Sequence, residues 1–371
     1  MILKAPLFWQ KKGIISTLLL PLSSLYHLLS QYDLQKREKR AQKLPRPTIV
    51  IGNINVGGTG KTPTTIALTE SLQARGLTVG ILSRGFGRED QTLQIVSPHS
   101  TVKEIGDEPA LIYQKTKAPM AIYHDRYNAG IALLKAFPDI DCFLCDDALQ
   151  HRQLERDIEI IVVGAQGFGN GRILPAGPLR EPISRIDKAD FIICNQISPQ
   201  AVKAEINQLS GQFADHRQPA KRATDLEGKR NKRDNNIDNK IDNNIEVIPL
   251  SSQLDDAISL NDPTIKRKLS SFASTHFTAI AGIAHPENFY QMLRAKGLQF
   301  TTKSFPDHHQ IKEHELASLA PPILMTEKDA TKCRHFNHLT MDNLWAVPLK
   351  NELPDHFIDT LLEKITTNNN K

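Results

Sequence analysis

The residues from Ile49 to Pro63, Ile-Val-Ile-Gly-Asn-Ile-Asn-Val-Gly-Gly-Thr-Gly-Lys-Thr-Pro, constrain this chain more than any other stretch. Thr48 to Ile51 is short, apolar and β-branched, which predicts a buried strand. Gly57, Gly58 and Gly60 break that run, and Ile66, Ala67, Leu68 and Leu72 then predict a helix. Strand, glycine loop, Gly-Lys-Thr and helix is the layout of a phosphate-binding P-loop. Backbone N–H groups wrap a phosphate closely only where no Cβ holds them away. The helix start that follows offers free N–H groups and a positive dipole end. The expected nucleotide cradle is therefore Asn55, Val56, Gly57, Gly58, Thr59, Gly60, Lys61 and Thr62. Lys61 is the mobile cation for the β- and γ-phosphates, and Thr62 is the hydroxyl ligand for Mg²⁺. A strict GxxxxGK[ST] places glycine where this chain has Asn55.

With 371 residues there is room for about two domains. The net charge of +5 is too mild to imply nucleic acid, and nothing in the sequence marks an obligate protein partner. Cys142, Cys145, Cys194 and Cys333 do not make a disulfide framework, and a reducing cytosol suits a nucleotide enzyme. Cys142-x-x-Cys145 has metal-site spacing, but it lies in the strand-like run Asp141 to Asp146. Side chains an odd number apart on a strand face opposite ways, so both are expected in the core.

Residues 1 to 32 begin with Lys4, Lys11 and Lys12 and continue as a Leu-rich stretch interrupted by Pro21, Ser23, Ser24 and His27. The stretch is too polar for a confident spanning helix and lacks a signal-peptide cleavage site. Ile15, Leu18, Leu22, Leu25 and Leu29 share one helical face, and Lys36, Arg37, Lys39, Arg40, Lys43 and Arg46 follow. An apolar face beside a basic cluster predicts a helix lying in an anionic membrane surface. The competing reading packs this helix on the protein's own core. Beyond Pro47 strands and helices alternate, with strands expected at Val79–Ser83, Pro119–Tyr123, Cys142–Cys145, Ile158–Val163 and Phe191–Cys194. This predicts an α/β fold, P-loop NTPase-like, with a largely parallel sheet carrying helices on both faces. Residues 225–245 are rich in Asn, Asp and Lys and are expected to be a low-complexity insertion or linker. The expected division is therefore 1–32 as a membrane-associated helix, 33–224 as the P-loop core and 246–371 as a second, smaller α/β lobe. That lobe is expected to hold strands at Phe277–Ile283, Leu298–Thr302, Ile323–Thr326 and Leu344–Leu349, and helices at Pro286–Lys296 and His356–Ile365.

Asp146-Asp147 ends an apolar strand downstream of the P-loop, where such enzymes keep a carboxylate on the metal side. Three further loops concentrate polar groups: Ile105-Gly-Asp-Glu-Pro109, Gly167 to Arg172 with Leu174 to Pro182, and Phe305-Pro-Asp-His-His309. Such loops after strand ends point to one crevice at the carboxyl edge of a sheet.

These residues carry a resemblance to the tetraacyldisaccharide 4′-kinases of lipid A biosynthesis. It rests on Gly52-Asn53, Gly57-Gly-Thr-Gly-Lys-Thr-Pro63, Ser83-Arg-Gly85, Gly106-Asp-Glu-Pro109 and Asp146-Asp-Ala-Leu-Gln-His151. Arg156-Asp157, Gly167-Phe-Gly-Asn-Gly171, Leu174-Pro-Ala-Gly-Pro-Leu-Arg-Glu-Pro182, Phe305-Pro-Asp-His308 and Thr326-Glu-Lys-Asp-Ala330 extend it across most of the chain. Ala148 departs from the family's usual glycine. The resemblance implies transfer of the γ-phosphate of ATP, with Mg²⁺, to the 4′-hydroxyl of a lipid A disaccharide precursor at the cytoplasmic face of the inner membrane. It implies Asp107 as the base, with a histidine of the His308-His309 pair, His308 by the motif, orienting it. Lys61 would stabilise the transferring group. Thr62, Asp147 and Glu181 would serve the metal, and Glu108, Arg126, Asp146, Gln150, His151 and Arg180 the substrate.

Two other classes compete. A P-loop GTPase or metallochaperone is suggested by Asp187-Lys-Ala-Asp190, which faintly matches a guanine-reading NKxD but precedes an apolar strand instead of following one. A non-enzymatic membrane scaffold would leave the acid and histidine groups without work.

Overall fold

The computed structural model describes residues 6–85, 88, 90–215, 245–333, 336 and 343–369. Lys4 and nearly all of the expected insertion at 225–245 lie outside these residues. The first lobe is built on a nine-stranded sheet. Its parallel strands are β1 (Thr48–Gly52), β2 (Val79–Ser83), β4 (Met120–Ile122), β5 (Cys142–Cys145), β6 (Ile158–Val163), β7 (Phe191–Asn195) and β8 (Glu246–Leu254). Antiparallel β3 (Gln94–Ile95) and β15 (Leu349–Glu352) close its edges, in the order β15-β8-β7-β6-β1-β5-β2-β4-β3. The P-loop strand β1 thus lies at the centre.

Both faces of the sheet are covered, which is why its central strands read as continuous apolar runs. On one face Ile49, Ile51, Cys142, Leu144, Ile158 and Ile160 pack against α3 (Lys61–Ala74), α5 (Asp107–Thr116) and a closing helix, α11 (Asp355–Asn369). On the other, Val50, Phe143 and Cys145 meet α6 (Arg126–Ala136), and Ile161 and Val163 meet α7 (Pro199–Asp215). Cys142 and Cys145 therefore sit in opposite core layers, both fully buried, and burial pushes each thiol up to about 12.

The second lobe is a six-stranded sheet ordered β10 (Lys266–Arg267), β9 (Ala257–Ser259), β14 (Leu344–Val347), β13 (Ile323–Thr326), β11 (Thr278–Ala281), β12 (Thr301–Ser304). It carries α8 (Pro286–Ala295), α9 (Glu313–Ala317) and α10 (Glu327–Cys333), while the short α4 (Val102–Ile105) leads into α5 of the first lobe.

The expected boundary at residue 246 does not match this topology. β8, β15 and α11 belong to the first lobe, so the second is threaded between residues 255 and 348. The strand expected at Leu298–Thr302 begins instead at Thr301, because Leu298 is buried in the approach to an exposed edge strand. Leu344–Leu349 is divided: its first part pairs in the second sheet, and β15 opens a turn back to the first.

The N-terminal segment contributes α1 (Ile14–Leu18) and α2 (Leu20–Glu38). From Ile14 to Leu29 it is the small polar residues Ser16 and Ser23 that are buried against the protein, and Leu34 joins them near the end of α2. Ser23 Oγ donates to the Ile173 carbonyl at 2.9 Å, Arg172 donates to Ser16 Oγ at 2.9 Å, and the Trp9 indole donates to the Pro175 carbonyl at 2.9 Å. Ile15, Leu18, Leu22, Leu25 and Leu29 remain between 51% and 76% exposed. Among the described residues no helix is long and apolar enough to cross a membrane.

Candidate active site

The P-loop follows β1 as the sequence requires, and α3 starts at Lys61. Gly60 has φ of 89°, in the left-handed region, and a Cβ there would meet Asn195 Nδ2 at 1.7 Å. A Cβ on Gly58 would meet the Ala284 methyl at 2.8 Å, so the second lobe leans onto this loop. Not every expected cradle residue faces the cradle. The Asn55 side chain donates to the Gly167 carbonyl at 2.6 Å, and the Val56 N–H donates to the Pro178 carbonyl at 2.8 Å. Both tie the loop to the glycine-rich segment behind it. Asn55 thus trades the missing glycine for a brace.

Lys61 Nζ lies 3.4 Å from Asn53 Oδ1 and 3.6 Å from Asp147 Oδ1. Asp146 is buried and accepts from Thr65 Oγ1 at 2.9 Å. Burial first, then the charges of Glu108 and Asp147, push its carboxyl up to about 7. Asp147 is more exposed and has φ of 48°. Two buried donors here have no hydrogen-bond partner, Thr59 Oγ1 in the loop and Arg126 Nε at the carboxyl end of β4. Orphaned buried donors beside glycine-lined backbone fit a phosphate-bearing ligand. Magnesium takes one or two carboxylates and completes its shell with phosphate oxygens and water. Thr62 and Asp147 beside Lys61 suit that pattern, and among the described residues no three His, Cys, Asp or Glu cluster as a metal cage.

The Asp107 carboxylate, at the start of α5, meets a group from the other lobe. His308 Nδ1 lies 3.0 Å from Asp107 Oδ2 and 3.1 Å from Oδ1. His309 is turned away and pairs with Glu315 at 3.0 Å, so His308 is the partner. His308 has φ of 60°, a further left-handed non-glycine residue beside the site. Burial works to raise the Asp107 carboxyl, but the His308 hydrogen bond and the charges of Lys328, His308 and Lys332 outweigh it and hold it well below its ordinary value. The same hydrogen bond, accepted by Asp107, raises the imidazole of His308. Lys328 Nζ reaches Asp307 at 3.1 Å, Glu108 at 3.3 Å and Asp107 at 3.6 Å. Lys328 and Lys332 were not singled out from sequence. The signal for Lys328 is Thr326-Glu-Lys-Asp-Ala330 at the carboxyl end of β13, where a strand end turns directly into a helix, and Lys332 lies one turn further along that helix.

The remaining residues divide. Gln150 Nε2 donates to the Asn53 carbonyl and to Glu181 Oε1, each at 3.0 Å, and Arg180 Nη1 donates to Gln150 Oε1 at 3.3 Å. This chain touches the end of β1. Glu181 also faces Arg152 and Arg185, each at 3.2 Å, and is 2% exposed. Its partners are thus two guanidiniums and an amide, and through Gln150 they tie the carboxylate to the end of β1. Arg126 is buried and donates to the Tyr123 carbonyl at 3.0 Å, while burial and the Arg126 charge push His151 down to about 4. Asp190 of the NKxD-like run lies at the amino end of β7 and accepts from the Glu159 N–H at 2.9 Å and from Lys364 at 2.7 Å. Ligands of such sheets bind at the carboxyl ends, so this run cannot read a base in the P-loop crevice.

Known proteins resemble this chain over nearly its whole length. The family model described as LpxK, tetraacyldisaccharide-1-P 4′-kinase, matches residues 15–366. The chain is 37% identical over 370 residues to a tetraacyldisaccharide 4′-kinase of Herminiimonas arsenicoxydans, covering 96% of this chain and 94% of that protein. It is 42% identical over 326 residues to one from Xanthomonas campestris pv. campestris (strain 8004), covering 87% and 83%. A crystal structure of the "apo" form of LpxK from Aquifex aeolicus in complex with ATP superposes with a TM-score of 0.69 at 25% identity, covering 95% of this chain and 99% of that one. A nucleotide cradle on a central parallel strand, an acid–histidine pair at its side and a match over nearly the whole length lead to one assignment: the chain belongs to the tetraacyldisaccharide-1-P 4′-kinase family.

Proposed function

We propose that this protein transfers the γ-phosphate of ATP to the 4′-hydroxyl of a tetraacylated glucosamine disaccharide 1-phosphate, working from the cytoplasmic face of a bacterial inner membrane. The observation that carries the reaction is the Asp107–His308 contact, made across two lobes beside the P-loop. A GTPase needs to position water and has no use for a base delivered by a second lobe.

Asp107 accepts the proton of the sugar hydroxyl as the new O–P bond forms and the bond to the ADP oxygen breaks. A carboxylate held below its ordinary pKa is a weak base, but phosphoryl transfer has a loose transition state that depends more on placement than on basicity. His308 fixes the carboxylate, and Lys61 carries positive charge onto the transferring group. Thr62, Asp147 and Glu181 would hold Mg²⁺, which would neutralise phosphate charge when bound. Arg126, with its unpaired Nε, offers a donor to phosphate charge, and Gln150 and Arg180 shape the wall. Val56, Gly57, Gly58, Thr59 and Gly60 enclose the nucleotide, Asn55 braces them, and Glu108, Asp146 and His151 line the acceptor side.

The N-terminal helices support the membrane reading. Ser16 and Ser23 dock on the loop from Arg172 to Ala176 while Leu18, Leu22, Leu25 and Leu29 are exposed. That is the reverse of a helix packed on its own core, and a contiguous exposed apolar face of this kind marks an interaction surface. Incubation of purified protein with γ-labelled ATP and the lipid disaccharide in mixed micelles tests the reading. Label is expected on the lipid. Phosphate release from GTP without lipid labelling would overturn it.

A further inference from the structure

Resting on the reading above, the geometry points to a residue the sequence did not single out: we infer that Lys328 is a positioning residue for the transfer, clamping the start of α5 to the second lobe and so placing Asp107 and His308 together. One ammonium faces three carboxylates from two separate elements. Asp107 and Glu108 open α5 in the first lobe, and Asp307 lies in the loop after β12 in the second. Lys328 is mostly buried, at 13% side-chain exposure, where an unpaired ammonium would be costly. Behind it Lys332, fully buried, pairs with Asp329 at 3.2 Å and stands 3.9 Å from Asp107. Asp329 in turn accepts the Gly282 N–H at 2.8 Å and the Thr326 hydroxyl at 2.7 Å, which fixes the first turn of α10 on the end of β11. The clamp therefore rests on a rigid support.

The charges facing Asp107 from the elements around it are His308, Lys328 and Lys332, and those facing His308 are Asp107, Asp307 and Lys328. A cation at this position favours the ionised carboxylate and disfavours the protonated imidazole. Removing it raises the pKa of both members of the pair. The acid limb of the rate profile then moves to higher pH whichever member it reports. A residue that only holds the fold would lower the rate without moving the limb.

The test uses the full chain with Lys328→Met and Lys328→Arg. Lys328→Met is expected to lower kcat by about tenfold or more while changing KM for ATP by less than about threefold. Its acid limb should move up by about one unit, and the His308 imidazole, followed by NMR and assigned with His308→Gln, should titrate at higher pH than in the wild type. Lys328→Arg keeps the charge and should hold both titrations near the wild-type position. If Lys328→Met fails to fold, Lys328→Gln replaces it. An unmoved limb and an unmoved imidazole in the uncharged variant, or a kcat within twofold of wild type, would overturn the inference. So would an arginine variant displaced as far as the methionine one. Absence of lipid labelling by the wild type would instead reject the proposed function, and the imidazole titration would still decide the role of Lys328.

Discussion

In the proposed reaction Lys61 and Asp107 serve different ends, so their loss should read differently. Lys61→Ala is expected to remove nearly all transfer with an unchanged circular dichroism spectrum, since one charge clamp on a transferring phosphoryl is worth several kcal/mol. Activity within a few-fold of wild type would sink the P-loop role. Asp107→Ala should lower kcat with little change in ATP affinity, measured by calorimetry; an equal loss of ATP affinity would place Asp107 in nucleotide capture. The Asp107–His308 contact should also appear in stability. The depressed carboxyl contributes stability that is present above its unfolded pKa and lost as pH falls through the folded value. The raised imidazole contributes stability present below its unfolded pKa and lost as pH rises through the folded value. Both contributions coexist between about pH 4 and 6.5. The melting-temperature difference between wild type and His308→Gln should peak in that window and shrink on either side; a flat difference would show that the pair is not coupled to folding. At this scale the sequence was most legible where one residue type has one use. Glycines at a phosphate loop and cysteines an odd number apart on a strand fall in that class. Asp147 and His308 were legible as chemistry but not as conformation, because a positive φ in a non-glycine residue is imposed by its surroundings. The setting of Glu181 between two guanidiniums was not legible, because Arg152 and Arg185 meet it only in the folded chain.

Among the elements, α1 and α2 show what periodicity leaves open. The apolar spacing gave the face but not whether that face turns inward. Ser16 and Ser23 decide it by bonding to Arg172 and Ile173. Replacing Leu18, Leu22, Leu25 and Leu29 together by Ser should therefore sharply reduce flotation with anionic liposomes while leaving the melting temperature nearly unchanged, since these side chains are already solvated. A fall in melting temperature with intact flotation would reverse the assignment. The basic cluster from Lys36 to Arg46 should leave residual binding that vanishes at high salt. The strand β12 was displaced in the reading for a related reason. Thr301 to Ser304 are exposed throughout, so no apolar alternation announces them, and the buried Leu298 just before drew the assignment forward.

Considered as a whole molecule, the parallel core was readable because its strands are buried on both faces. The return of the chain was not. β8 and β15 are half polar, and their pairing joins Ser251 to Glu352 across a whole lobe of intervening sequence. α11 likewise spends Phe357, Ile358, Leu361 and Ile365 on the first core, where Phe357 meets Phe191 edge-on at 5.0 Å. Phe357→Ala should cost about 3–5 kcal/mol in denaturant unfolding, and a loss below about 1 kcal/mol would show that α11 docks loosely. The same topology bears on how the protein is made. A ribosome delivers the P-loop, the base helix and the parallel strands long before residues 349–369, so β8 stands as an unpaired edge and the groove beneath α11 stays open while the whole second lobe is synthesised. Exposed edges and uncovered apolar grooves are what recruit holding chaperones and invite aggregation. The nascent chain should therefore be most vulnerable while residues 255–348 emerge, and α11 acts as the closing stitch of a lobe begun some three hundred residues earlier.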